Sequence, residues 1–185
     1  MKKFFLYALA LVVVLPLMAF LTACDDDDAN IWMEYRENRE ANQLWITEQE
    51  ALTNPDGSKF YDRLVPAWNK DSYILIHWFN DRAETAGNLQ PMLTSSVSVW
   101  YTGRNMHGKI FDADSTSTDG TKFAVNSVVQ GWQVALQYMH VGDSVQILLP
   151  YDMAYDASSP STDILPYSAL QFNIRLLNVP TYEIP

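Results

Sequence analysis

The feature that most constrains this chain is a C-terminal series of aromatic and branched residues set between glycine turns. It runs Val99-Trp100-Tyr101-Thr102-Gly103, then Gly108-Lys109-Ile110-Phe111-Asp112, then Val128-Val129-Gln130-Gly131-Trp132. It continues through Met139-His140-Val141-Gly142, Leu149-Pro150-Tyr151-Asp152-Met153-Ala154-Tyr155, Ile164-Leu165-Pro166 and Ala169-Leu170-Gln171-Phe172. Few folds need rings in that order. The chain has 6 Trp, 10 Tyr and 8 Phe, enough for a true core and an aromatic-lined pocket.

Local patterning points to an α+β fold. In 96–102, Val97, Val99 and Tyr101 share one face of a strand. In 168–178, Leu170, Phe172, Ile174 and Leu176 share a face while Gln171, Asn173 and Arg175 share the other, the mark of an antiparallel sheet packed on one side. Asp143 to Leu149 predicts a further strand. Trp132 to His140 predicts one amphipathic helix, with Gly142 as its C′ residue. A sheet with one short helix on its concave face is α+β. Upstream, 31–53 predicts a helix with a loose apolar stripe of Ile31, Trp32, Tyr35, Leu44, Trp45 and Leu52. Asn54-Pro55-Asp56-Gly57 stops it. Lys59 to Val65 and residues 72–79 read as strands. Residues 31–91 lack the apolar content for a core of their own, so they read as a helix-and-strand extension of a main domain at 92–185. The helix is expected to pack on the sheet or to space the domain from a membrane.

The order of residues over about 92–179 resembles the FKBP-type peptidyl-prolyl cis/trans isomerases. The resemblance implies an FKBP-like antiparallel twisted sheet wrapped on one short helix, and an enzyme that needs no cofactor and no metal. Rotation about a prolyl amide meets a barrier of about 18–20 kcal/mol set by C–N resonance. A catalyst must favour the twisted amide, which a dry apolar pocket with a few aimed hydrogen bonds can do. By resemblance, Trp132 is the pocket floor under the proline ring, and Tyr101, Phe111, Val128, Val129 and Phe172 are its walls. The Val129 N–H resembles the donor that grips the substrate chain. Tyr155 resembles the tyrosine whose hydroxyl reaches a substrate carbonyl, and Asp112 the carboxylate facing the twisting amide. Ile164 stands where the family places an apolar residue over the mouth. Asp112 is the sharpest single clue, because a carboxylate between core-like positions needs a partner or a function.

Three departures stand out. Thr121-Lys122-Phe123 replaces the usual Phe-x-Phe, so one wall is expected to be formed by Thr121 or left open. Asp156 follows the mouth tyrosine in place of glycine, and Leu165-Pro166 replaces Pro-Pro. Weak catalysis is therefore one expectation. A non-catalytic peptide-holding module in a surface assembly is the alternative. A third reading, glycan binding, would need exposed tryptophans such as Trp45, Trp78 or Trp100.

Residues 1–23 read as a cleaved signal: Lys2 and Lys3, an apolar run from Phe4 to Phe20, then Leu21-Thr22-Ala23-Cys24, which resembles a bacterial lipobox. Cys24 is then the lipid attachment site. An uncleaved anchor helix and a plain secretory signal are the other readings. Cys24 is the one cysteine, so no disulfide forms within the chain. Residues 24–30 read as an acidic, solvated tether. Asp25 to Asp28 also resemble the surface-export tag of some Gram-negative lipoproteins, which implies the outer membrane, on its surface or periplasmic face. In other bacteria an aspartate here favours inner-membrane retention. Adjacent aspartates on a flexible chain would lose much entropy in converging on one ion, which argues against a metal site.

The net charge of −10 opposes nucleic-acid binding and adhesion to anionic lipid. Asp112-Ala113-Asp114-Ser115-Thr116 begins like a calcium loop but lacks its sixth-position glycine and has Phe123 at the twelfth. His77, His107 and His140 have no metal-ligand or catalytic spacing. The expected partners are proline-containing peptides or proteins, and the membrane through Cys24. The chain is expected to act as a monomer.

Overall fold

The computed structural model describes residues 26–181. Helix α1 (Asp26–Glu34) meets α2 (Arg36–Glu50) at a break on Tyr35. Short strands β1 (Asp62–Leu64) and β2 (Ile74–Trp78) follow. Then come β3 (Ser96–Asn105), β4 (Ile110–Asp114), β5 (Thr121–Ala124), α3 (Gln130–Tyr138), β6 (Ser144–Leu149) and β7 (Leu170–Thr181). Helix α1 thus begins inside the stretch 24–30 expected to be an acidic tether. Aspartate is a residue type that helix starts favour. The proposed signal, Cys24 and Asp25 lie outside the described residues. No described helix is long and apolar enough to cross a membrane.

All seven strands form one antiparallel sheet in the order β1-β2-β6-β7-β3-β4, with β5 also paired to β3. The first half of β3 pairs with β5 and its second half with β4, while β7 runs along its other edge. The turn between β4 and β5 is tied at Asp114, whose carboxylate accepts from the Ser117 and Thr121 hydroxyls. These bonds, with the Ser117 N–H, hold its pKa down at about 2.

Period-two alternation places the core. Val97, Val99 and Tyr101 of β3, and Leu170, Phe172, Ile174 and Leu176 of β7, all face one cluster together with Trp132, Val134, Ala135 and Leu136 of α3. A second, smaller cluster lies behind the sheet. Leu75 and Leu148, cross-strand partners, meet Tyr61, Ala169 and Ile46 there. Strand β2 is therefore buried on both faces, with Ile74 and Ile76 pointing the other way.

Two helix expectations change. The buried positions of α2 are Arg39, Asn42 and Ile46, whereas Leu44, Leu52 and Trp32 of the expected stripe are exposed. The helix docks by hydrogen bonds, with Asn42 Oδ1 accepting the Ala169 N–H at 2.9 Å, so hydropathy misplaces its inner face. Helix α3 ends at Tyr138 with Met139 already extended, so Gly142 is not its C′ residue. Gly142, at φ +99°, instead turns the chain into β6, and its N–H donates to the Leu176 carbonyl.

Candidate active site

Helix α3 can lie close on the sheet because its second residue is Gly131. A Cβ there would collide with the Leu149 side chain. That approach sinks the next residue, Trp132, to 4 % exposure. Three rings meet the indole edge-on: Tyr101 at 5.5 Å, Phe123 at 5.7 Å and Phe172 at 5.3 Å between centroids. Phe111 extends the lattice, edge-on to Phe172 at 5.6 Å and 89°. Gly103 makes this last contact possible. It is paired with both Asp112 and Phe172, and a Cβ on it would stand 2.7 Å from the Phe111 ring and 2.8 Å from that of Phe172.

These residues enclose a cavity of about 230 Å³ lined by Tyr101, Phe111, Asp112, Phe123, Ser127, Val128, Val129, Trp132, Tyr155 and Phe172. Pockets for drug-sized ligands run from about 300 Å³ upward, so this one suits a single ring and its flanking atoms. Eight of the nine residues expected at the pocket line it.

The ninth, Ile164, does not. Its N–H donates to the Ser161 carbonyl and its carbonyl accepts from Ser159 Oγ at 2.7 Å. The turn so closed buries the side chain in the main core. Thr121 does not replace a wall either, because its hydroxyl is used on Asp114 at 2.6 Å. Phe123, opposite Val97 in the β3–β5 ladder, lines the cavity. An i, i+2 reading of Thr121-Lys122-Phe123 puts both on one strand face, and the paired register then selects the phenylalanine. Ser127, a small residue in the turn before α3, gave no signal.

The polar groups gather at the rim. Asp112 is exposed, not enclosed, so the burial argument for it does not apply. Its Oδ2 accepts the Tyr101 hydroxyl at 2.8 Å. Burial and then that hydrogen bond raise the Tyr101 pKa above the ordinary tyrosine value. Burial, followed by the Asp112 charge, also raises that of Tyr155. Both hydroxyls therefore keep their protons at neutral pH and can act as donors. Among the described residues the Tyr155 hydroxyl and the Val129 N–H, at the N-cap of α3, have no hydrogen-bond partner.

Other groups stay structural. His77 stacks on Phe60 at 3.9 Å and shares a 2.8 Å contact with its carbonyl. Trp78 is covered by the Arg82 guanidinium at 3.9 Å, and Trp100 donates its indole N–H to the Ser117 carbonyl. Trp45, Trp78 and Trp100 are each half-buried, whereas Trp68 is exposed. No group of metal-ligating side chains occurs among the described residues.

An antiparallel sheet curled over one short helix, with a ring-lined cavity at the start of that helix, is an FKBP-like architecture. A solved peptidyl-prolyl cis-trans isomerase from Pseudomonas syringae pv. tomato superposes with a TM-score of 0.63 at 28 % identity, covering 78 % of this chain and 95 % of that one. Residues 87–177 match the family described as FKBP-type peptidyl-prolyl cis-trans isomerase, and that segment of the chain belongs to it. The macrophage infectivity potentiator of Trypanosoma cruzi is 36 % identical over 101 residues, 55 % of this chain and 52 % of that protein. The outer membrane protein MIP of Legionella longbeachae is 34 % identical over 90 residues, 49 % of this chain and 39 % of that protein. The chain spans about half the length, or less, of the curated relatives it matches.

Proposed function

We propose that the cavity seats the proline ring of an X-Pro segment and speeds its cis/trans isomerisation, in a lipid-anchored folding helper for envelope or surface proteins. The observation that carries this reading is the arrangement at Trp132. Its indole closes a small cavity walled by rings, while the polar groups stand at the rim.

Trp132 serves as the floor under the proline ring, with Tyr101, Phe111, Phe123, Val128, Val129 and Phe172 around it. The open Val129 N–H grips a carbonyl of the substrate chain. The Tyr155 hydroxyl donates to a second carbonyl. Asp112, held by Tyr101, faces the twisting amide. A planar amide owes its stability to charge-separated resonance, which water supports and apolar walls do not. Moving the amide among rings therefore weakens the ground state relative to the twisted one. Each tenfold gain in rate asks for about 1.4 kcal/mol of such preference.

An isomerisation assay on proline peptides tests the reading. Rate acceleration that is lowered, but not abolished, in Trp132→Phe or Tyr155→Phe supports it. Background rates from a folded protein that still binds proline peptides would leave the non-catalytic, peptide-holding module.

The anchor reading rests on Leu21-Thr22-Ala23-Cys24, and the outer-membrane location on the acidic run behind it and on the named location of the Legionella relative. Fatty-acid label incorporated by the wild-type chain and lost in Cys24→Ala would support the anchor. Protease treatment of whole cells separates surface from periplasmic face, and gel filtration reads whether the chain is a monomer.

A further inference from the structure

Tyr155 stands at the start of a loop whose two ends are joined by one backbone hydrogen bond. The Tyr167 N–H donates to the Asp156 carbonyl at 2.7 Å. Both residues lie in the left-handed region, Asp156 at φ +50° and Tyr167 at φ +61°. That conformation is disfavoured for a bulky ring and persists only where surrounding contacts over-determine it.

The N-terminal helices supply several such contacts. Trp32 of α1 meets the Tyr167 ring edge-on at 5.2 Å and 85°. Arg39 of α2, only 6 % exposed, lays its guanidinium 3.3 Å from the centre of the Trp32 ring and 5.5 Å from that of Tyr167. Its Nη1 donates to the Trp32 carbonyl at 2.7 Å, which locks the two helices across their break. Asn38 Nδ2 donates to the Pro166 carbonyl at 2.8 Å, and Asn42 takes the Ala169 N–H one turn later. From the inner side, Tyr151 meets the Tyr167 ring edge-on at 5.5 Å, and its carbonyl accepts the Asp156 N–H at 2.9 Å. A chain of contacts thus runs from Trp32 through Tyr167 to Asp156, the neighbour of a cavity residue.

We propose that α1 and α2 form a brace that sets the position of the Tyr155 ring at the cavity, with Trp32, Asn38 and Arg39 as positioning residues acting through Tyr167 and Asp156. The effect on rate rests on the isomerase reading of the cavity; the effect on geometry does not. Helices α1 and α2 lie outside residues 87–177.

The test uses the full-length chain with labelled tyrosine rings, the Tyr155 signal being assigned by its loss in Tyr155→Phe. Trp32→Ala and Asn38→Ala break the brace at two independent points, and Trp32→Phe is the conservative control. The expected result is that both alanine variants move or broaden the Tyr155 signal, that the Trp132 indole N–H signal stays in place, and that Trp32→Phe restores the wild-type spectrum. In isomerisation, Trp32→Ala should lower kcat/KM by about tenfold, the scale set by small misplacements of a reacting group. The same substitution should cost nothing further in a Tyr155→Phe background. An unmoved Tyr155 signal in both alanine variants overturns the brace. So does movement of the Trp132 signal with it, or an equal rate loss in both backgrounds, since either marks general loosening. If the wild-type chain shows no isomerase activity, the cavity reading fails and the spectra alone decide the brace.

Discussion

The Tyr101 hydroxyl donates to Asp112 Oδ2 at 2.8 Å, joining two neighbouring strands across the rim of the cavity. The bond directs a carboxylate on an exposed strand toward the cavity mouth. Removing either partner should therefore change catalysis more than stability. Tyr101→Phe and Asp112→Asn are each expected to lower kcat/KM with a stability loss of about 1 kcal/mol, the usual net worth of such a bond. The double variant should be less than additive, because the two groups act as a pair. Peptide kinetics and urea melts on the three variants check this, and full additivity in kcat/KM would count against a coupled pair.

Trp132 combines structural and catalytic duties, so substitutions must separate them. Trp132→Ala removes a nearly buried indole and the partner of three rings, and should cost about 3–5 kcal/mol of stability. Trp132→Phe should fold well yet lower the isomerisation rate, because a smaller ring deepens the floor. Wild-type kinetics in a folded Trp132→Phe would move the catalytic surface elsewhere.

Gly103 is expected to be intolerant of even a methyl group. A Cβ at 2.7–2.8 Å from two rings must push Phe111 or Phe172 off its packing. Gly103→Ala should cost about 1–3 kcal/mol, as overpacking usually does. It should also weaken binding of proline peptides, since both displaced rings line the cavity. Thermal melts and a peptide titration measure the two effects, and unchanged affinity in a destabilised variant would dissociate this wall from the site.

Alkaline pH should destabilise the fold in a defined window. Burial raises the pKa of Tyr61, Tyr73, Tyr101, Tyr151 and Tyr155 above the ordinary value of 10.0, that of Tyr61 to about 12. The unfolded chain gives up these protons near pH 10, while the native chain keeps them. The native state then binds more protons, so stability is intact below pH 10 and falls as pH rises beyond it. For Tyr61 the fall runs from 10.0 to about 12. Melting temperatures followed through this range should show the decline, and Tyr61→Phe should make it shallower. A flat profile between pH 10 and about 12 would contradict protonated, buried hydroxyls.

Much of the sheet was legible along the chain. The alternation in β3 and β7 named the residues of the inner face, because a strand packed on one side writes its burial into every second position. The cavity lining was legible through the family resemblance that the ring series carries, which named eight of its residues. The inner face of α2 was not legible. It carries Asn38, Arg39 and Asn42, whose partners are the Pro166 carbonyl, the Trp32 carbonyl and ring face, and the Ala169 N–H. Hydropathy does not register such contacts.

By itself, then, the order of residues determined the strand faces and the α+β class, and through its family resemblance named Tyr101 and Phe172 beside Trp132. Only the tertiary structure decided that Phe123 and not Thr121 completes the wall, that Ile164 turns into the core, and that Asp112 stands exposed on the rim. The reason is physical. Periodicity reports which face of an element leaves water, while register, loop closure and long-range hydrogen bonds decide which neighbour each residue meets there.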